Sequence, residues 1–243
     1  MKKTLSFLLA IAMMISFAAC GTTEPQESSL GQSGQTAQGS GPSQMETSSP
    51  QPSDSTGQSG GEGQNSPILV AYFSWADNAV LAEDVDAVAS PSVIPPGNVQ
   101  QLAGWVQEET GGDLFPIQVT DPYPSDWDEC LARANQERGD DARPSLTGRV
   151  ENLDQYDTVF LGYPNWWYGV PMALLTFLEE NDLSGKQVYL FCSHGTGGLA
   201  GSVEIITQAA PDAVISDNIF DCYEEDASSS QEEIQNWVAG LGY

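Results

Sequence analysis

Positive charge is scarce in this sequence. Seven lysines and arginines stand against 34 acids, a formal net charge of −27. Such a surface repels nucleic acid and anionic lipid. It favours a basic protein partner, or it serves only to keep the protein soluble. Histidine occurs once, as His194, and cysteine four times, as Cys20, Cys130, Cys192 and Cys222. No C-x-x-C spacing or paired metal ligands are present, which argues against a structural metal site and a disulfide framework, with one bridge plus a free thiol as the alternative. Three unpaired, mostly buried thiols are the expectation for the last three cysteines. The Gly-Lys-Ser/Thr of a phosphate-binding loop is missing, and no Ser-His-Asp or Cys-His nucleophile set stands where an α/β fold would use one. Long apolar runs are missing too. The run from Leu5 to Phe17 is about a dozen residues, short of the ~20 that a membrane-spanning helix needs.

That short run follows Lys2 and Lys3 and leads into Phe17-Ala18-Ala19-Cys20. A positive start, a brief apolar stretch and small residues before a cut site form a signal peptide, here residues 1–19. The cysteine at the cut resembles the lipobox of bacterial lipoproteins. That resemblance implies an acylated, palmitate-class lipid on Cys20 and an extracytoplasmic protein anchored to a membrane through it alone; an ordinary secretory signal is the alternative. Residues 21–66 are mostly Gly, Ser, Gln, Thr, Pro and Glu. They cannot bury enough surface to offset their ordering entropy, so residues 20–66 form a lipid-anchored disordered linker. As a flexible coil its ends lie about 35–40 Å apart.

Residues 67–243 remain, enough for one well-filled core. They hold 29 of the acids (34 less Glu24, Glu27, Glu46, Asp54 and Glu62) and five basic side chains, a net −24. Three apolar runs, Ile68–Phe73, Thr158–Gly162 and Val188–Cys192, lack period-2 alternation and are rich in β-branched and aromatic residues. They predict central strands of a parallel sheet covered on both faces. Leu114–Val119 contains Pro116 and belongs at an edge; Ala213–Phe220 is a fifth strand. Helical stripes lie between them. Val99, Leu102, Ala103 and Val106 end at Gly111-Gly112, and Pro171 opens the stripe of Leu174, Leu175 and Leu178. Ser202, Ile205, Ile206 and Ala209 make a third, Ile234, Trp237, Val238 and Leu241 a fourth, and a shorter helix runs from an Asp126 cap to Arg138. Five alternations predict an α/β, doubly wound three-layer sandwich with a five-stranded parallel sheet. Its ligand crevice lies at the carboxyl ends of the strands.

Three loops follow those ends. Ser74 leads, after a long insert, to Gly97-Asn98-Val99 at the first helix. Pro164-Asn165-Trp166-Trp167-Tyr168-Gly169 follows the third strand, and Ser193-His194-Gly195-Thr196-Gly197-Gly198 the fourth. A helix start with small residues presents free N–H groups to an anion such as phosphate. Three consecutive aromatics suit stacking on a flat ring, with a buried cluster or a docking patch as the alternative. A glycine-rich loop lets backbone N–H groups approach a ring edge. His194 is either satisfied by the fold or a proton donor or hydrogen-bond partner to a ligand.

These loops resemble those of the flavodoxin-like family of FMN proteins, particularly its bacterial lipoprotein branch. The most specific match is Gly162–Phe177, G-Y-P-N-W-W-Y-G-V-P-M-A-L-L-T-F. The family's first loop reads Ser, a short gap, then Gly-Asn-Thr. Here Gly97 lies far past Ser74, Val99 replaces the threonine, and the insert brings Asp77, Glu83, Asp84 and Asp86. A compact register using Asn78 would leave 98–110 without a preceding strand. The resemblance implies strand order 2-1-3-4-5, with FMN phosphate held by Ser74, Gly97, Asn98 and Val99. Pro164 to Gly169 would line the isoalloxazine and Ser193 to Gly198 its pyrimidine edge. It implies a membrane-tethered electron carrier, or a flavin-dependent reductase with quinone or flavin acceptors, docking with a basic redox protein. The alternative is a tethered acidic binding module that kept the fold and lost the cofactor.

Overall fold

The structure is a computed structural model and describes residues 67–83, 85 and 91–243. The signal peptide, Cys20, the linker, Asp84 and Asp86 lie outside the described residues. Among those residues no helix is long and apolar enough to cross a membrane.

Five helices and one main sheet make three layers. In chain order, β1 is Ile68–Tyr72, β2 Ala79–Val80, α1 Asn98–Thr110, β3 Asp113–Pro116 and β4 Tyr123–Pro124. Then come α2 Trp127–Gly139, β5 Thr158–Pro164, α3 Met172–Glu180, β6 Gln187–His194, α4 Ser202–Ala209, β7 Val214–Ile215, β8 Phe220–Tyr223 and α5 Gln231–Leu241. The sheet is parallel in the order β3-β1-β5-β6-β7, with β8 also paired to β6.

Strand residues point alternately into two apolar layers. Leu69, Ala71 and Phe73 face α2, α3 and α4 through Cys130, Leu174, Phe177 and Ile206. Ile68, Val70 and Tyr72 face α1 and α5 through Leu102, Val106, Ile234 and Val238. Both faces of the central strands are therefore buried, which is why those runs lack polar alternation. At ~25 cal/mol per Å2 of apolar surface removed from water, the two layers dominate folding. The helix ends follow their sequence signals. Asp126 accepts a hydrogen bond from the Glu129 amide to cap α2, and Gly111, at φ 67°, closes α1 with its N–H on the Gln107 carbonyl.

Two features depart from the predicted five-stranded sheet. The fifth strand is broken: β7 pairs Ile215 with Val188 and β8 pairs Phe220 with Phe191, so two extra residues bulge out of the ladder. Ser216, Asp217 and Asn218 sit in that bulge. The Asn218 amide donates to Ser216 Oγ and its side chain accepts from Trp237 Nε1, local bonds that compete with the strand ladder. The second departure is a separate small ladder, β2 with β4, built by the start of the insert after Ser74. Asn78, buried in that insert, bridges the exits of β1 and β3. Its Nδ2 donates to the Ser74 and Ile117 carbonyls at 2.8 and 2.9 Å, and its Oδ1 accepts from the Val119 amide at 2.8 Å. Asn78 is structural, and Gly97-Asn98 opens the helix.

Candidate functional site

A cleft of about 270 Å3 opens where the sheet order reverses, at the carboxyl ends of β1, β5 and β6. The three loops meet there. Its lining takes Ser74, Asn98 and Val99 from the first, Pro164 to Tyr168 from the second and Ser193 to Gly197 from the third.

At one end the walls are aromatic. Trp166 stands edge-on to Phe73, Trp75 and Tyr123, with ring centroids 5.4, 6.4 and 5.3 Å away, so one end of it belongs to the core. Trp167 and Tyr168 form a tight turn at φ 55° and 60°, closed by the Gly169 amide on the Trp166 carbonyl at 2.9 Å. Two bulky residues in the left-handed region cost about 1–3 kcal/mol each and persist only where neighbours over-determine them. The neighbours are on hand. Arg138 donates to the Trp167 carbonyl, and the Gly201 amide donates to the Tyr168 carbonyl at 3.2 Å. Asn165 binds the third loop twice, through its amide on the Ser193 carbonyl and its side chain on the Gly198 carbonyl. The Tyr168 ring lies against Gly197, where a Cβ would come within 2.9 Å of it and push the ring aside.

The other end is built around α1 and is polar. Ser74 is 2 % exposed and its hydroxyl has no hydrogen-bond partner. Gly97 caps α1 beside it; a Cβ there would fall 2.5 Å from Ser74 Oγ and 2.7 Å from the Ser92 carbonyl oxygen. The Gly97 amide donates to Gln100 Oε1 at 3.1 Å. The amides of Asn98, Val99 and Gln100 lie in the first turn, where the helix itself supplies no acceptor. The Asn98 side chain is partly committed elsewhere: its Nδ2 donates to the Glu224 carbonyl at 2.8 Å and to Ser193 Oγ at 3.3 Å. Its Nδ2 ties the helix start to the third loop, which leaves a ligand the backbone amide and Oδ1.

One acid, Glu224, lines this end, and a second, Asp77, lies outside the lining in the insert after Ser74. Burial raises the Asp77 carboxyl above the usual range, partly opposed by a hydrogen bond from Tyr72, and its Oδ2 is a second unpartnered buried atom. Glu224 lines the cleft, its Oε1 3.6 Å from a Cβ placed on Gly195. Burial and then the charge of Glu225 raise its pKa, while His194 lowers it. His194 is engaged at both ring nitrogens, Nδ1 with the Gly195 carbonyl and Nε2 with Asp221 Oδ2, each at 2.8 Å. Both partners are acceptors, so a neutral ring donates to one of them, and that bond holds the third loop. The three cysteines are free and buried. Burial pushes Cys130, in the cleft wall, up to about 12 and Cys222 up to about 11, so both are neutral thiols and poor nucleophiles.

The family model described as Flavodoxin matches residues 88–241, well over half of the chain. The chain belongs to the flavodoxin family. A solved candidate flavoprotein from Bacteroides eggerthii DSM 20697 is 28 % identical, covers 74 % of this chain and 99 % of its own, and superposes with a TM-score of 0.56. One from Bacteroides uniformis ATCC 8492 is 24 % identical over 71 % of this chain and 97 % of its own, at 0.55. A flavoprotein from Lactobacillus acidophilus NCFM, solved in complex with FMN, is 15 % identical over 69 % and 99 %, at 0.50. The last two show the shared fold. No curated protein matches this chain.

Within this flavodoxin-family cleft, three residues named from the sequence stand behind the lining. Gly97 supports Ser74, Gly169 closes the aromatic turn, and the Gly198 carbonyl holds Asn165. Seven lining residues carried no signal as site residues: Trp75, Ser92, Trp127, Cys130, Leu131, Ala134 and Glu224. Four of them sit on α2, whose periodicity shows a helix but not which cavity it roofs. Trp127 is 42 % exposed at the start of α2, an exposure that only the structure reveals.

Proposed function

We propose that this chain binds FMN in the cleft and works as a redox protein, an electron carrier or a flavin-dependent reductase with quinone or flavin acceptors. The observation that carries this reading is the buried, unpartnered Ser74 hydroxyl at the opening turn of α1. Leaving such a group unsatisfied costs about 1–3 kcal/mol, a cost that a phosphate oxygen in the cleft removes. The adjacent first-turn amides and the positive end of the helix favour that same anion. The Lactobacillus acidophilus flavoprotein of this fold, which holds FMN, agrees with the assignment.

FMN, when bound, supplies the one- and two-electron chemistry. This chain's residues bind, orient and shield it. Trp167 and Tyr168 offer ring faces, Trp127 and Leu131 exclude water from the α2 side, and the Ser193–Gly197 backbone approaches the ring edge. With 29 acids against five basic side chains in residues 67–243, a basic redox protein is the partner favoured by charge. The protein works outside the cytoplasm, anchored through Cys20 and the linker. A second reading, an acidic binding module without cofactor, is favoured by the Glu224 carboxyl in the cleft and by Val99 where the family has a threonine.

Purification of the full chain separates the two readings. A yellow protein that releases about one FMN per chain on denaturation supports the first. A colourless chain that takes up no added FMN supports the second. Reduction of the loaded chain by membranes, at a rate falling steeply with salt, marks a carrier; rapid reduction by free NADH or NADPH marks a reductase.

A further inference from the structure

The strained turn at Trp167–Tyr168 contains no glycine at either left-handed position, so the surrounding structure must impose its conformation. Among the groups that touch it, Arg138 is unusual. Arg133, Arg143 and Arg149 each pair with carboxylates, as expected in so acidic a chain. Arg138 makes no ion pair among the described residues. From the last turn of α2 it instead reaches a backbone carbonyl 29 positions away, that of Trp167. A carbonyl at a loop tip is hydrated equally well in any backbone conformation. A donor anchored on a helix is not so permissive, because it reaches that oxygen from one direction only.

We propose that Arg138 is a positioning residue for the flavin site: by holding the Trp167 carbonyl it keeps the turn left-handed, with the Trp167 ring in the cleft wall and the Tyr168 ring over Gly197. The role rests on the FMN reading. Arg138 acts through Trp167 and Tyr168, and its charge is incidental. Without it, the turn has only the Gly201 amide on its outer side and relaxes toward unstrained conformations that swing both rings.

The test uses Arg138→Ala and Arg138→Lys in the full chain, with two readouts. The first is amide exchange of Gly169 in the flavin-free protein, since that N–H closes the turn. The second is affinity for FMN and for riboflavin at low and high salt. Arg138→Ala should speed Gly169 exchange about tenfold and weaken both flavins alike, by about tenfold, at either salt concentration. Arg138→Lys, which keeps a donor in reach of the carbonyl, should restore most of both. In a background carrying both Trp167→Gly and Tyr168→Gly, where neither left-handed position carries strain, Arg138→Ala should no longer change the exchange. Unchanged Gly169 exchange in Arg138→Ala overturns the proposal. So does a loss confined to FMN that fades with salt, which would mean that the charge acts on the phosphate. If the wild type binds no flavin while Gly169 exchange still rises in Arg138→Ala, the hold on the turn stands and the FMN reading falls.

Discussion

The two ends of the cleft are built in opposite ways. At the aromatic end the groups that shape the loops have partners: the Asn165 side chain, an Arg138 N–H, and the Gly169 and Gly201 amides. At the α1 end the Ser74 hydroxyl, a donor, is buried without a partner; among the described residues the only other such side-chain atom is one oxygen of Asp77, which lies outside the cleft lining. One end is finished in the absence of a ligand, and the other is completed by one. A rigid ring needs a wall that is already in place, since ordering loops at the moment of binding weakens affinity. A phosphate needs donors without other acceptors. The difference between the ends therefore matches the difference between the ends of FMN.

Four substitutions break or sharpen that comparison, with effects of decreasing size. Gly97→Ala should be the most severe, because its Cβ would meet a backbone carbonyl and Ser74 within 3 Å. Overpacking of this kind costs about 1–3 kcal/mol, so chemical denaturation should show that loss, and FMN affinity should drop more than tenfold. Trp167→Ala acts at the finished end. Loss of stacking and of buried area should weaken FMN and riboflavin equally, by about tenfold, with little change in stability. A fall in melting temperature with flavin affinity intact would instead mark the aromatic end as a plain core cluster.

Ser74→Ala should move two quantities in opposite directions. Removing an unsatisfied buried hydroxyl should stabilise the flavin-free chain by about 1 kcal/mol, while FMN binds several-fold more weakly and riboflavin binds as before. Calorimetry and flavin titration on one variant measure both. The smallest effect is that of Asp77→Asn, and it depends on pH. Burial raises the Asp77 carboxyl in the folded state, so its ionised form destabilises the fold, and stability falls as pH rises through the folded value. The variant should melt higher than wild type at pH 7, and the gap should close below the ordinary carboxylate range. A gap that is equal at both pH values would exclude the carboxylate as its cause.

Much of this architecture was legible in the sequence because local pattern and tertiary demand agree. Ile68–Tyr72, Thr158–Pro164 and Gln187–His194 are buried on both faces and read as such, and Gly111 and Asp126 stand where α1 ends and α2 begins. The three loops were legible for a topological reason: residues after parallel strands must meet at one end of the sheet. What escaped depends on partners distant in sequence. Nothing near Trp127 or Cys130 shows that α2 roofs the cleft, and nothing near Trp166 shows its ring packed against Phe73 and Tyr123. Nothing near Asn98 shows that its Nδ2 is held by the Glu224 carbonyl, 126 positions away. The left-handed turn escaped because tryptophan and tyrosine carry no signal for positive φ, which is imposed on them from outside. The broken fifth strand was hidden by its own apolar flanks, Val214-Ile215 and Ile219-Phe220, which read as one run across the Ser216–Asn218 bulge.

A titration of the full chain with FMN and with riboflavin, followed by quenching of flavin fluorescence, tests the two-ended cleft most directly. Saturation at one FMN per chain is expected, with riboflavin bound at least tenfold more weakly because it leaves Ser74 and the first turn of α1 unsatisfied. Equal affinity for the two flavins would contradict the role given to the α1 end, and absence of quenching by either would contradict the cleft as a flavin site.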